Sequence, residues 1–387
     1  MQETFHLTDD IPLPPELSRS LEFTHATPAD QLRSFWNVQL EALSSLVESV
    51  SPIQAAWDSM IPAKIRSAAG FLKTTALSAL MRQFSIGGQN WIPQFIYGFD
   101  IIGNFSQRGV FPCAKKIPQP ADPDTIWSDV EERFCSRAKS SGYAQGGHLW
   151  AESLDQVDSG WLSAPQLLTP AGQFTNEPDA RINAAFRFPV SQLGKTRACD
   201  DLKYGRVNPC ASDATPTKLP TWDHISQMCL GVSDSAAPWS FFKADRESAY
   251  KNLPLKPDQA PLCVVTLRSP GDGLWYGFAP KTLLSGASAA VRHYNCFSRI
   301  IAVLINLIFG LPTINYFDDF GCLPPTSLVD EGLALFTRFC ALLGIRLKAK
   351  KTEVGRDVTF LGLRGSFPGP DTDMSLRIDL PALKKRK

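Results

Sequence analysis

Two adjacent carboxylates, Asp318 and Asp319, end an apolar stretch and stand between aromatic neighbours in Tyr316-Phe317-Asp318-Asp319-Phe320. Ahead of them, Ile300 to Leu311 carries Asn306 as its one polar side chain. That run is too short to span a bilayer and reads as a helix buried in a protein core. The strand-like Thr313 to Phe317 then has to end on two negative charges. Carboxylates this close repel each other and resist ionising together unless a cation lies between them. Hard divalent cations such as Mg²⁺ take oxygen ligands, and two-metal sites use shared carboxylates for in-line phosphoryl displacement. Most Asp-Asp pairs are solvated turns, and a Tyr-x-Asp-Asp arises by chance in roughly a few per cent of chains this long. The rest of the chain must decide.

With 387 residues, 44% hydrophobic and 20% charged, the chain can bury a sizeable core and reads as a soluble globular protein. Its net charge of +1 is no electrostatic signature of nucleic-acid binding. The charge is unevenly spread, however. Residues 1–60 hold nine acidic and two basic side chains, whereas residues 338–387 hold twelve basic and five acidic ones. A basic end can hold a phosphate backbone through counterion release, or can be a solvated tail, as in Lys384-Lys385-Arg386-Lys387. The nine cysteines form no Cys-x-x-Cys pair, which favours free thiols in a reducing compartment, cytoplasmic or nuclear. Neither a secretory signal nor a membrane partner is expected.

Residues 1–140 read as mostly helical, with apolar periodicity over Leu32 to Val50 and Ile65 to Phe84. A polar connector, Ser140 to Gly147, precedes shorter elements. Strands are expected at Phe186 to Ser191, Trp239 to Ala244, Cys263 to Leu267, Thr313 to Phe317 and Val358 to Leu363. Helices are expected at Ala287 to Ile308 and Val329 to Leu343. From Trp239 the order is strand, helix, strand–turn–strand, helix, strand. That order implies an α+β fold with helices on one face of an antiparallel sheet.

A nucleotidyl-transfer site needs a further carboxylate on a neighbouring strand, and Asp245, which closes Ser240-Phe241-Phe242-Lys243-Ala244, is the candidate. An Asp ending a strand is more often a helix N-cap. Here the residues carry a resemblance. Asp245-Arg246-Glu247-Ser248-Ala249-Tyr250 with Leu253-Pro254 resembles the first catalytic motif of retroelement reverse transcriptases. Ser285-Gly286-Ala287-Ser288-Ala289-Ala290-Val291 with Asn295 and Phe297 resembles the second, and Tyr316 to Asp319 the third. Leu343-Gly344-Ile345 with Lys350-Lys351-Thr352 is similar to the fourth, and Phe360-Leu361-Gly362 to the fifth. Gln192 to Lys195, Arg197-Ala198-Cys199-Asp200-Asp201 and Asn208 are similar to the fingers of retrotransposon enzymes, with Gly160-Trp161-Leu162 before them. The resemblance covers about residues 142–365, and the 73 residues between Asp245 and Asp318 suit adjacent strands. The style is nearest to retroelements of protists and algae, tyrosine-recombinase retrotransposons included.

The resemblance implies a right-hand polymerase: a helical N-terminal extension (1–140), a fingers-like region (141–240), a palm (241–365) and a basic tail (366–387). It implies RNA-directed DNA polymerase activity on an RNA or DNA template with a primer, using dNTPs. Asp245, Asp318 and Asp319 are the expected ligands of two Mg²⁺ ions, with Mn²⁺ as the alternative metal. Lys195 and Arg197 are expected on the triphosphate, where a point charge and a bidentate fork suit phosphate oxygens. Tyr250 is expected to block a ribose 2′-hydroxyl, and Gly286 to let the backbone approach the templating base pair. Lys351, with Lys348 and Lys350 as rivals, is the expected proton donor to pyrophosphate. Ser285 departs from the bulky or amide side chain many relatives have before the glycine. About two dozen residues follow Leu363, too few for a ribonuclease H domain, so a truncated or absent thumb and a fragment or decayed copy are expected. The alternative is an inactive reverse-transcriptase-derived protein that binds nucleic acid. An RNA-templated RNA polymerase is disfavoured by Tyr250 and by Tyr-Phe ahead of the acidic pair.

Overall fold

The computed structural model describes residues 11–68, 71–88, 91–105, 110–111, 118–140, 146–192, 195–215, 217–233, 235, 237–367 and 377–379. The connector after Ser140 falls largely outside these residues, as does most of the basic tail. The chain opens with helices α1 (Pro15–Ala26), α2 (Ala29–Ser49), α3 (Ser51–Met60), α4 (Thr74–Gln83) and the single turn α5 (Gln94–Tyr97). The Leu32 to Val50 periodicity becomes α2, with Leu32, Trp36, Leu40 and Leu43 buried along one stripe. Among the described residues of the Ile65 to Phe84 stretch only α4 is an α-helix. Just before it, the N–H of the N-cap residue Lys73 donates to the Leu343 carbonyl at 2.9 Å, a tertiary bond that ties the start of α4 to the end of the helix Val329–Leu342.

Strand β1 (Gly103–Phe105), α6 (Val130–Ser140), α7 (Gly146–Asp158), β2 (Gln166–Leu167), β3 (Ala184–Gln192), β4 (Lys195–Asp200), β5 (Ala211–Asp213) and α8 (Trp222–Leu230) follow. The second half holds β6 (Phe241–Asp245), β7 (Val264–Arg268), β8 (Trp275–Phe278), α9 (Ser288–Phe309), β9 (Thr313–Tyr316), β10 (Asp319–Cys322), α10 (Val329–Leu342) and β11 (Glu353–Gly355). Strands β12 (Asp357–Phe360), β13 (Leu363–Ser366) and β14 (Arg377–Asp379) come last. The protein is thus a mixed α+β fold. A five-stranded sheet runs β2-β8-β7-β3-β4, and a four-stranded antiparallel sheet runs β11-β6-β10-β9. The expected last strand differs: β11 closes the four-stranded sheet, while Val358 lies in the separate sheet β12-β13-β14.

Alternation along the four-stranded sheet sorts its faces. Phe242, Ala244, Phe320 and Cys322 share the main core with α9 and α10, in which Phe297, Leu304, Phe336 and Phe339 are buried. Phe241 and Ile314 point the other way, into a second core made with Leu17 and Leu21 of α1, Ile225 and Met228 of α8, and Phe360. Helices therefore cover both faces at this end of the sheet, not one face as expected, because Phe241 and Ile314 make the far face apolar too. Gly321 belongs to this arrangement, since a Cβ there would run into the Phe241 ring.

The apolar helix α9 is joined to the sheet by the one polar residue in its last turns. The Asn306 side-chain amide donates to the Thr313 carbonyl at 2.7 Å, and its Oδ1 accepts from the Thr313 N–H at 3.1 Å. The helix stops at Gly310, which takes the left-handed φ of 59° that glycine tolerates. From the N-terminal region, the Trp36 indole donates to the Phe309 carbonyl at 2.8 Å, Thr24 bonds the Gly310 carbonyl, and Glu16 pairs with Arg299. Helices α1 and α2 are thereby locked onto the helix that delivers the acidic hairpin.

The five-stranded sheet holds a buried cross-strand pair. Arg187 meets Asp200 through Nε–Oδ1 at 2.8 Å and Nη2–Oδ2 at 3.2 Å, and Ser153 and Gln156 of α7 accept from two more of its N–H groups. Both side chains are 1% exposed. A buried charge stripped of its partner costs about 3–5 kcal/mol. Arg187→Met is accordingly expected to destabilise the protein by about 3–5 kcal/mol in urea unfolding, and Asp200→Asn combined with it by less.

Candidate active site

Strands β9 and β10 form a tight hairpin whose register sets Tyr316 opposite Asp319, leaving Phe317 and Asp318 as the connecting pair. Phe317 lies at φ 51°, a region bulky residues seldom enter, so the turn stores backbone strain. Two contacts hold it: the Tyr316 and Phe317 rings meet edge to face at 5.0 Å, and the Arg246 N–H donates to the Asp318 carbonyl at 2.9 Å. Strand β10 also pairs with β6, in a register that sets Asp319 opposite Asp245. Asp245, Asp319, Tyr316 and Lys243 therefore share the sheet face turned away from α9, with Asp318 at the turn beside them.

The electrostatics follow from that crowding. Burial raises Asp318 above the usual carboxylate range and the Asp245 charge raises it further, with Lys348 and Lys351 pulling the other way. Burial pushes Asp319 up to about 6, aided by Asp318 and Asp245 and opposed by Lys243. Asp245 is only 2% exposed and both of its oxygens face lysines. Lys351 hydrogen-bonds Oδ2, and the Lys348 Nζ lies 3.4 Å from Oδ1, which accepts no hydrogen bond. Desolvation works against the Lys351 ammonium, but the Asp245 hydrogen bond and the three carboxylate charges raise it overall. Lys243, two residues before Asp245 on the same face, pairs with Glu353 at 3.5 Å and donates to the Thr359 carbonyl at 3.1 Å.

Among the described residues no group of three His, Cys, Asp or Glu side chains is placed to hold a metal ion, and lysines contact Asp245 instead. The donor chemistry nonetheless suits a hard cation: oxygen donors at facing strand ends, one of them a buried carboxylate oxygen without a hydrogen bond.

Tyr250 joins this group. It lies in the 3-10 turn Ala249–Asn252, half-buried, edge to face with Tyr294 at 5.5 Å. Burial, and then the Asp318 charge, push its phenol up to about 12, so it stays neutral beside the carboxylates. Gly286 stands elsewhere. At φ 107°, a Cβ on it would strike the Asp200 carbonyl oxygen, so the chain's own backbone already requires glycine here. The Asp200 N–H donates to the Ser285 carbonyl at 2.8 Å, and Asn208 bonds both the Gly286 carbonyl, at 2.9 Å, and the Ser288 N–H, at 2.9 Å. Arg197 is exposed on β4 opposite Val190, and among the described residues no ion pair joins it to the carboxylates. The Lys195 side chain lies outside the described residues.

Two buried positive charges directly follow singled-out residues in the sequence. Arg246, next to Asp245, points into the core at 1% exposure, its guanidinium 4.0 Å from the Phe297 ring centroid and 5.4 Å from that of Tyr294. Burial lowers its pKa, yet a guanidinium stays protonated, so a full charge sits on aromatic faces behind the strand end. Lys251, next to Tyr250, is 9% exposed and has no hydrogen-bond partner. Burial and then the Arg187 charge bring it down to about 8. A charged residue adjacent to each singled-out residue was the available signal.

No protein-family model matches the chain, and no curated protein matches it. Among solved structures the chain is similar to the protease–reverse transcriptase of prototype foamy virus (a CSH mutant), with 19% identity and a TM-score of 0.36. The likeness covers 56% of this chain and 25% of that one, so the chain spans about a quarter of the viral protein. No helix among the described residues is long and apolar enough to cross a membrane.

An Asp319 carboxyl held near 6 keeps its proton in the folded state over a range where the unfolded chain has lost it. Stability from this group therefore falls as pH rises from about 4 through about 6. Asp319→Asn removes that loss. Without divalent cations, its melting temperature relative to wild type is expected to be higher at pH 7 than at pH 4.5 in a thermal-shift series.

Proposed function

We propose that this chain is an RNA-directed DNA polymerase domain, with residues 141–240 as its fingers and 241–365 as its palm, extending a primer on an RNA or DNA template with dNTPs. The observation that carries the reading is the β6–β10 register, which sets Asp245 opposite Asp319 with Asp318 in the adjoining turn and Tyr250 beside it. Sequence motifs in the order expected of reverse transcriptases surround these residues. Two Mg²⁺ ions (or Mn²⁺) held by Asp245, Asp318 and Asp319 would supply Lewis-acid activation of the primer 3′-hydroxyl and neutralise charge on the departing pyrophosphate.

The chain's own residues then have distinct tasks. The neutral ring of Tyr250 stands against the sugar and rejects a 2′-hydroxyl by volume. Lys351 delivers a proton to the pyrophosphate oxygen as the bond to the α-phosphate breaks. Lys195 and Arg197 clamp the triphosphate from the β3–β4 hairpin. Gly286 keeps the Ser285–Ser288 turn tight against the Asp200 backbone, which fixes the floor on which a nucleotide rests.

A second reading draws on the lysines that hold Asp245: a reverse-transcriptase-derived protein that binds nucleic acid with its carboxylates neutralised by its own side chains. Primer extension separates the two. The purified chain is expected to extend a DNA primer on an RNA template with Mg²⁺, and Asp318→Asn to lower the rate by about 10²–10³-fold or more. Template binding without extension in both proteins favours the second reading, and extension that survives Asp318→Asn refutes the site. Tyr250→Ala is expected to admit ribonucleotides, read as a fall in the ratio of dNTP to rNTP incorporation.

A further inference from the structure

Asp245 is the most enclosed of the three carboxylates, and its surroundings are supplied by one short segment. The Lys348 N–H donates to the Asp245 carbonyl at 2.8 Å, and the Glu247 N–H donates to the Arg346 carbonyl at 3.0 Å. Arg246 and Leu347 form an antiparallel bridge between these two bonds. The segment then closes a 3-10 turn, Ala349–Lys351, in which the Lys351 N–H donates to the Lys348 carbonyl at 3.0 Å. Backbone pairing thus fixes where residues 346–351 lie, and the turn brings Lys348 and Lys351 back onto the two oxygens of one carboxylate. Lys350, between them, is exposed and takes no part in an ion pair among the described residues.

A buried carboxylate without a counter-charge is strongly unfavourable. Two ammonium groups meet that need with the same total charge as one divalent cation. Their side chains are 35% and 45% exposed, so both can swing into solvent, whereas Asp245 cannot leave.

We infer that Lys348 and Lys351 are resident counter-cations of the carboxylate site. They keep Asp245 in place without metal and release it when a divalent cation binds. This rests on the metal-site reading above and deepens it. Metal binding and lysine binding exclude one another at Asp245, so the apparent metal affinity is reduced by the fraction of molecules in which the lysine is engaged. Release also has a consequence for catalysis: Lys351 becomes free to reach the leaving group only once the cation is in place, which ties proton delivery to a loaded site.

Mn²⁺ binding to the full chain, followed by electron paramagnetic resonance, tests this without any turnover. Wild type is expected to bind Mn²⁺ in a manner lost in Asp318→Asn. Lys351→Met is expected to bind it about tenfold more tightly, and Lys348→Met more tightly by a smaller factor. Lys350→Met removes the same charge from the same turn without touching Asp245, and its affinity is expected to match wild type. In thermal melts Lys351→Met is expected to lose stability without metal and to recover it with Mn²⁺. Equal Mn²⁺ affinity in wild type and both contact variants overturns the inference, as does an equal gain in Lys350→Met, which makes the effect one of general charge. If Lys351→Met does not fold, the comparison of Lys348→Met with Lys350→Met decides by the same criteria. Absence of any Asp318-dependent Mn²⁺ binding in wild type and every variant refutes the metal-site reading itself, and the inference falls with it.

Discussion

The antiparallel pairing of β6 with β10 brings like charges together at one end of a sheet, and much else in the structure answers that repulsion. Setting Asp319 opposite Asp245 with Asp318 in the turn leaves three carboxylates short of water. Lys243 comes from the same face of β6, and Lys348 and Lys351 from the segment after α10. Each lysine is also held by something other than these carboxylates: Lys243 by the Thr359 carbonyl, Lys348 and Lys351 by the backbone pairing and 3-10 turn of their segment. The cluster is electrostatically costly and is supported from several sides.

The hairpin reaches that position because a long apolar helix leads into it. Helix α9 is buried over nearly its whole length, so its end point is fixed by the core, and Asn306 transfers that fixed point to the first residue of β9. The N-terminal helices contribute directly. Trp36, Thr24 and Glu16 all act on α9 or on the turn after it, so α1 and α2 brace the acidic hairpin from behind. Phe317 is held in its strained conformation by this over-determined frame.

Much of this was legible in the sequence. Binary patterning placed α2, α9, α10 and the strands around Asp245 and Asp318, because those elements bury one face or all faces and leave a clear period. What could not be read was tertiary. The stretch from Ile65 to Phe84 has helical periodicity, but among its described residues the α-helix starts only at Thr74, where the Lys73 N–H donates to the Leu343 carbonyl. Val358 to Leu363 is expected as one strand, but the chain turns at Leu361-Gly362, both at positive φ, so β12 and β13 form a hairpin, and the sheet edge goes to Glu353–Gly355, whose short polar sequence carries no strand pattern. Gly286 is expected to let the backbone approach a templating base pair, and the fold adds a demand the sequence does not show, the Asp200 carbonyl that a Cβ would strike. The Lys351 and Lys348 contacts to Asp245 span more than a hundred residues, and only the fold reveals which lysine of the cluster touches the carboxylate.

Anomalous scattering from a crystal grown with Mn²⁺ and a dNTP tests the central claim most directly. Mn²⁺ peaks are expected at the carboxylates of Asp245, Asp318 and Asp319, with the Lys351 side chain turned away from Asp245. A map with no peak at these carboxylates, and Lys351 still hydrogen-bonded to Asp245 at saturating metal, contradicts it.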